Sequence, residues 1–195
     1  MIKKREAVYR EMLTAALLEK RFTFTQLGLS KKFGFSLSTI HNALRPLVGI
    51  GAIGKRTRSF EIIDTRKVLM YWATARKLQR DIIYTTRVEG PVARIEGNMP
   101  AGAIFTAYSG YRILYKDAPA DYSEVYVYAD AKALEEIRER FAEKSGPQNL
   151  FVLEKDPYMP EKPVAPLPQI YVDLWNLREW YAKDFLDALE KRMFG

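Results

Sequence analysis

The sequence predicts a mixed α+β protein in two parts, and three observations predict it. Apolar residues recur at three- and four-residue spacing through most of residues 5–80, with two short strand-like runs between 52 and 63. Strand-like and helix-like stretches then alternate through residues 82–194. The charge also changes sign between the parts. Residues 1–80 hold 17 Lys or Arg against 5 Asp or Glu (+12) and residues 81–195 hold 14 against 19 (−5), which together give the chain's net +7. A strongly basic segment attracts polyanions, so nucleic acid is the first partner to consider for the N-terminal part.

Composition removes several classes of function. The 48% hydrophobic content is ample for a packed core, and the absence of cysteine excludes disulfide scaffolds, thiolate nucleophiles and cysteine-built metal sites. With His41 the one histidine, a histidine-clustered metal centre is excluded as well, and no cofactor is expected. No apolar run approaches the roughly twenty residues of a membrane span, and the first residues, Met1-Ile-Lys-Lys-Arg-Glu, do not lead into an apolar signal core. A soluble, cytoplasmic protein with no membrane partner is the expectation.

The elements follow in order. Residues 5–20 place Val8, Met12, Ala15 and Leu18 on one helical face, leaving Arg5, Arg10 and Glu19 for solvent. A shorter helix over about 25–33 ends at Gly34, which accepts the left-handed conformation of a helix stop. Ser36 then stands where an N-cap belongs, with Phe35 and Ile40 at the two positions of a hydrophobic staple. Leu37, Ile40, Leu44 and Leu47 form the buried face of this third helix, and Pro46 should stop or kink it near Arg45. The face left over carries Ser38, Thr39, His41, Asn42 and Arg45, short polar and cationic groups able to reach base edges and phosphates. Strands over 52–55 and 60–63 flank Arg56-Thr57-Arg58-Ser59 as a hairpin whose tip and flank hold Lys55, Arg56 and Arg58.

This stretch resembles the winged helix-turn-helix superfamily of prokaryotic transcription regulators. The resemblance is carried by Phe35-Ser-Leu-Ser-Thr-Ile-His-Asn-Ala-Leu-Arg-Pro-Leu, by Gly51-Ala-Ile and by the basic hairpin, and it spans about residues 5–63. It implies a DNA-binding domain at 1–63 with double-stranded DNA as partner. The candidate contacts are Ser36, Ser38, Thr39, His41, Asn42 and Arg45 on the recognition helix and Lys55, Arg56 and Arg58 on the wing. Winged helices also serve as protein-docking modules, for which the +12 and the cation-tipped wing have no use.

Residues 64–80 read as a connecting helix, within a 64–81 segment, capped by Asp64. Its expected buried face is Val68, Trp72, Ala75 and Leu78, with Arg66, Lys67, Arg76, Lys77 and Arg80 lining the rest. A rigid strut and a dimerisation helix that uses Met70, Tyr71 and Trp72 both fit, so a homodimer stays open.

Residues 82–195 read as an α/β layer domain. Strands are expected at 82–86, at 124–129 (Val125, Val127 and Ala129 inward, Tyr126 and Tyr128 outward) and at 150–153, buried on both sides. Helices are expected at 100–115 (Ile104, Tyr108, Tyr111, Tyr115), at 131–144 (Leu134, Ile137 and Phe141 buried) and at 172–194. Pro157, Pro160, Pro163, Pro166 and Pro168 suit a stiff connector or, alternatively, a ligand for a partner's groove. The best enzymatic constellation is Ser109-Gly110 with Asp130. A nucleotidyltransferase needs a Gly-Ser turn and two carboxylates spaced Asp-x-Asp, whereas here the order is reversed and a tyrosine stands two residues before Asp130. No catalytic residues are assigned, and the chain is not expected to be an enzyme.

The tail supplies a second resemblance. Val164-Ala-Pro-Leu-Pro-Gln-Ile-Tyr-Val-Asp-Leu-Trp-Asn-Leu, followed by Ala182-Lys-Asp-Phe-Leu-Asp-Ala-Leu, is similar to the C-terminal end of AbiEi-type antitoxins. That family pairs a winged helix with a larger C-terminal domain. The resemblance implies a type IV toxin–antitoxin system, in which the antitoxin represses its own operon and counters a nucleotidyltransferase-like toxin encoded nearby. Asp173, inside this motif, equally suits a cap on the last helix. Two rival readings remain: a nucleotidyltransferase-like enzyme brought to nucleic acid by the winged helix, and a metabolite-responsive regulator.

Overall fold

Residues 2–195 are described by the computed structural model, a mixed α+β protein whose chain divides between Arg76 and Lys77 into two units. The first contains α1 (Ile2–Leu18), β1 (Thr23–Phe24), α2 (Gln26–Phe33), α3 (Leu37–Gly49), β2 (Ile53–Lys55), β3 (Phe60–Ile62) and α4 (Thr65–Ala75). Its antiparallel sheet has the order β1-β3-β2, with Phe24 stacked on Phe60 and Ile53 opposite Ile62. The two-residue β1 has no signal in the sequence, because so short a strand shows no alternation.

Helix α1 packs against both α3 and α4, so it buries more than the single stripe its spacing predicts. Ala7, Tyr9, Leu13 and Ala16 join Val8, Met12 and Ala15 in the core. Arg10, expected in solvent, is buried as a result, whereas Leu18 is exposed at the last residue of the helix. The Tyr9 hydroxyl donates to the Ala43 carbonyl at 2.6 Å, and its ring meets Tyr71 and Trp72 edge-on.

Asp64 caps α4 through the Lys67 N–H at 2.9 Å, but the helix stops at Ala75 rather than near 80, and Ala75 is exposed. Arg76 turns extended and is buried instead of solvated, its guanidinium donating at 2.7 Å to the buried Glu6 carboxylate. Leu78, which belongs to the second unit, is buried there in a short 3₁₀ turn.

The second unit runs through β4 (Ile82–Thr86), α5 (Val92–Gly97), β5 (Ile104–Thr106), α6 (Ala107–Tyr115), β6 (Val125–Ala129), α7 (Ala131–Arg140), β7 (Leu150–Glu154), α8 (Leu167–Trp175) and α9 (Ala182–Phe194). The sheet order is β4-β7-β6-β5, parallel between β6 and β7 and antiparallel elsewhere, with α7 in the parallel crossover. On one face Val125, Val127, Ala129 and Val152 pack with Ile95, Ala133 and Ile137. Tyr126 and Tyr128, expected to face outward, are buried on the other face, where Tyr126 meets Tyr108 of α6 and Tyr128 bonds to α8.

Three further expectations change. Residues 100–115 are a strand followed by a helix, because Ile104–Thr106 pair with β6, and the first residue of the helix, Ala107, takes a φ of 50° where the chain changes direction. Residues 172–194 belong to two helices, α8 ending at Trp175 with α9 starting at Ala182. The α7 helix ends at Arg140, not 144, with Phe141 at its C-cap. Helix α8 begins inside the proline segment, where Pro168 stands in the first turn and no donor is needed. The same segment covers the free edge of β5. Phe105 donates to the Pro163 carbonyl and accepts from the Ala165 N–H, both at 2.9 Å.

Asp173 neither caps a helix nor meets solvent. It lies within α8, fully buried, and accepts from Thr106 Oγ1 and Tyr128 OH at 2.7 Å each and from Gln169 Nε2 at 3.0 Å. One carboxylate thereby joins β5, β6 and α8. Gly110 permits the same close packing, since a Cβ there would stand 3.2 Å from the Phe105 carbonyl oxygen and 3.3 Å from the Ile170 side chain.

Replacing Asp173 by Ala removes the buried acceptor shared by Thr106, Tyr128 and Gln169, of which Gln169 keeps the Tyr128 oxygen at 2.8 Å, and should cost about 3 kcal/mol. Urea melts of the variant should show an earlier midpoint, and an unchanged one would refute the bridging role. Tyr181, with Tyr108, Tyr122 and Tyr126, lies in an aromatic cluster near Phe185. Burial, with the bond to Glu124, pushes the Tyr181 hydroxyl up from 10.0 to about 12, and burial raises the other three as well. A raised folded value means stability is whole below pH 10 and lost as the pH climbs through the folded value. The melting temperature should therefore hold level from pH 8 to about 10 and fall steeply beyond; a flat profile to pH 12 would contradict it.

Candidate nucleic-acid interface

The local chemistry of α2 and α3 places the candidate residues. Thr25 caps α2 through the Gly28 N–H at 2.9 Å, and Gly34 ends it at a φ of 67°, the conformation glycine adopts without a steric cost. Ser36 then caps α3, its hydroxyl accepting from the Thr39 N–H at 3.2 Å, with Phe35 and Ile40 buried on either side. The Ser36 hydroxyl also lies 2.9 Å from those of Ser38 and Thr39, so these three groups form one hydrogen-bonded cluster at the helix start.

Ile40, Ala43, Leu44 and Leu47 fill the inner face of α3. Leu37, expected among them, is 51% exposed, because the first residue of the helix projects beyond the packed layer and Ala43 takes the inner position. Ser38, His41, Asn42 and Arg45 are exposed at the spacing three, one and three, which is one face of a helix, while Thr39 is half-buried beside them. Pro46 does not stop the helix, which continues to Gly49. It removes the donor to the Asn42 carbonyl, but Asn42 is exposed and water can take the donor's place, while Leu47 anchors the following turn in the core.

The hairpin forms as its sequence suggests, Lys55 opposite Phe60, with the Arg56 N–H bonded to the Ser59 carbonyl at 2.9 Å. Between it and α3 lies an open cleft of about 660 Å³. His41 and Arg45 line it from the helix side, and Lys55, Arg56 and Arg58 from the hairpin side. Ser36 at the cap of α3 and Ser38, Thr39 and Asn42 on the helix are not among its walls. The Arg56 guanidinium is ion-paired with Glu61 on the next strand.

Two members of the cleft had no sequence signal. Leu27 and Leu37, each about half exposed, stand in the first turns of α2 and α3 and give it an apolar end. The spacing of Leu37 reads as core, and the docking of the helices leaves both leucines uncovered.

The residues singled out for enzymatic chemistry do not line this cleft. Ser109 is fully buried within α6, its hydroxyl without a hydrogen-bond partner, so Ser109-Gly110 is a helix interior and not a phosphate turn. Asp130 caps α7 through the Ala133 N–H at 2.9 Å. Among the described residues no group of three or more His, Cys, Asp or Glu side chains is placed to hold a metal ion, and no helix is long and apolar enough to cross a membrane.

No protein-family model matches the chain, and neither the curated proteins nor the solved structures give a match.

Ser36→Ala should destabilise by about 1 kcal/mol, and Ser36→Gly by only a few tenths, since glycine is itself an acceptable cap residue. Denaturant midpoints of the two variants check the order; equal losses would mean the hydroxyl does not cap α3.

Proposed function

We propose that the first unit is a winged helix-turn-helix domain and that the protein is a sequence-specific regulator binding double-stranded DNA. The observation that carries this reading is the cleft in which His41 and Arg45 of α3 face Lys55, Arg56 and Arg58 of the hairpin. A duplex offers a major groove to α3 and, beside it, a phosphodiester strand to the cleft. In this reading Ser38, Asn42 and Arg45 read bases, His41 and the hairpin cations hold phosphates, and Ser36 and Thr39 act by fixing the helix start. The net charge of residues 1–80 supports the same partner through counterion release.

The antitoxin reading extends the proposal to the second unit. It rests on the resemblance of the tail to AbiEi-type antitoxins and on the pairing of a basic unit with a larger one. Within that motif Asp173 and Leu174 are buried in α8, so the motif supports the shape of the domain, and a toxin would meet other residues.

Fluorescence anisotropy against the chain's own upstream DNA and a scrambled duplex, across a salt series, tests the regulator. Preference for its own DNA that persists as salt rises is the expected result. Equal, steeply salt-dependent binding would leave a nonspecific binder. Replacing Arg56 and Arg58 together by Ala should flatten the salt slope by about 1.8, some 0.9 for each phosphate no longer neutralised. Because Glu61 competes for Arg56, Glu61→Gln should tighten binding to all duplexes alike. Asn42→Ala should instead change the ranking of sites, and a uniform loss would remove it from base reading.

A further inference from the structure

The second unit carries an open cavity of about 550 Å³ between the segment after β4, helix α5 and the end of α7. Its charged walls are Arg87, Arg94, Arg140 and Lys144, with Glu89 and Glu139. Residues 77–195 hold 16 basic and 19 acidic side chains, so outside this cavity 12 stand against 17. The lining is thus +2 in surroundings of −5. Among the described residues no ion pair joins these four cations to either glutamate of the cavity. Arg140 is held by the Asn98 carbonyl at 3.1 Å and by Glu136 one turn back on its own helix, and Arg87 donates to the Pro147 carbonyl at 3.5 Å. A neutral carbonyl orients the Arg87 guanidinium without cancelling its charge, whereas Arg140 shares its charge with the exposed Glu136.

The walls are built rather than loose. The Tyr84 hydroxyl donates to the Phe141 carbonyl at 2.6 Å, and Thr86 Oγ1 donates to the Ala142 carbonyl and accepts from the Lys144 N–H, both at 2.9 Å. The Asn149 amide closes the other side, accepting from the Val88 N–H at 2.8 Å and donating to the Val88 carbonyl at 3.0 Å. Val88, Phe141 and Ala142 add apolar lining.

Three uncancelled cations, with Arg140 shared with Glu136 on its own helix, select phosphate, and a volume of 550 Å³ lies within the range of small-molecule sites. The two glutamates sharpen the choice. They repel a bare polyphosphate but accept hydrogen bonds from hydroxyl groups. The occupant that satisfies both sets carries phosphates and hydroxyls on one frame, beside a part that tolerates apolar lining. We propose that this cavity binds a nucleoside diphosphate or triphosphate, the phosphates toward Arg94, Arg140 and Lys144 and the ribose hydroxyls toward Glu89 and Glu139. The proposal uses residues of the second unit alone and stands independently of the DNA reading.

Calorimetry on the full chain at low salt, with ADP, ATP, pyrophosphate and adenosine as probes, tests it. ADP and ATP should bind saturably at one per chain, and pyrophosphate and adenosine each about tenfold or more weakly. Arg94→Ala with Arg140→Ala should weaken ADP by at least about tenfold, and Lys162→Ala, on an exposed segment away from the cavity, should leave it unchanged. Arg94→Ala alone should give a smaller loss in the same direction at an unchanged melting midpoint, which separates lost binding from lost folding. Adenosine binding as well as ADP, pyrophosphate binding better than ADP, or indifference to the arginine changes would overturn the proposal. So would displacement of ADP by a short DNA duplex from the Arg56→Ala, Arg58→Ala variant, since the cations would then serve a phosphodiester backbone.

Discussion

The bond from the Tyr9 hydroxyl to the Ala43 carbonyl, with the burial of α1 on two sides that brings it about, is the constraint on which the first unit depends. It ties the first helix to the inner face of α3 at the position between Ile40 and Leu44. Once that face is turned inward, helical geometry alone turns Ser38, His41, Asn42 and Arg45 outward. The Tyr9 ring also reaches Trp72 of α4, and the buried Glu6–Arg76 pair ties α1 to the end of α4 a second time. Removing one partner of such a pair leaves an uncompensated buried charge, so specificity of packing here rests on both.

The second unit has a corresponding device in Asp173. A carboxylate fully withdrawn from water is tolerated because Thr106, Tyr128 and Gln169 each donate to it. Those donors come from β5, β6 and α8, so the same atoms that satisfy the charge also set the helix against the sheet. This accounts for the tail motif in physical terms: its aspartate is an organiser of the domain. The proposed nucleotide cavity lies among β4, α5 and α7 and shares none of these residues, so one part of the unit can be rigid while another offers a ligand uncancelled charge.

Two arginines, one in each unit, are held differently. Arg56 in the hairpin is paired with Glu61, whereas Arg94 in the second unit's cavity has no carboxylate partner among the described residues. Pairing lowers the charge an incoming phosphate would meet and keeps the guanidinium ordered; leaving a cation unpaired does the reverse.

Features that depend on near neighbours along the chain were legible in the sequence: the caps at Ser36 and Asp64, the glycine stop at Gly34, the basic hairpin, and most helix and strand types. Each needs only a few adjacent residues, so its signal is local. The outward polar face of α3 was legible for the same reason, since a strong inner stripe defines its opposite. Which stripes gained a second cover was settled by packing between distant elements. Arg10 and Arg76 went inside, Leu18, Leu27 and Leu37 stayed out, and Tyr126 and Tyr128 were buried beneath α6 and α8. Packing also fixed where the 100–115 stretch broke into strand and helix, because β5 exists only by pairing with β6, some twenty residues further along. Burial and pairing between distant segments leave no periodicity in either segment, and for that reason the cleft, the Asp173 bridge and the cationic cavity came into view only with the fold.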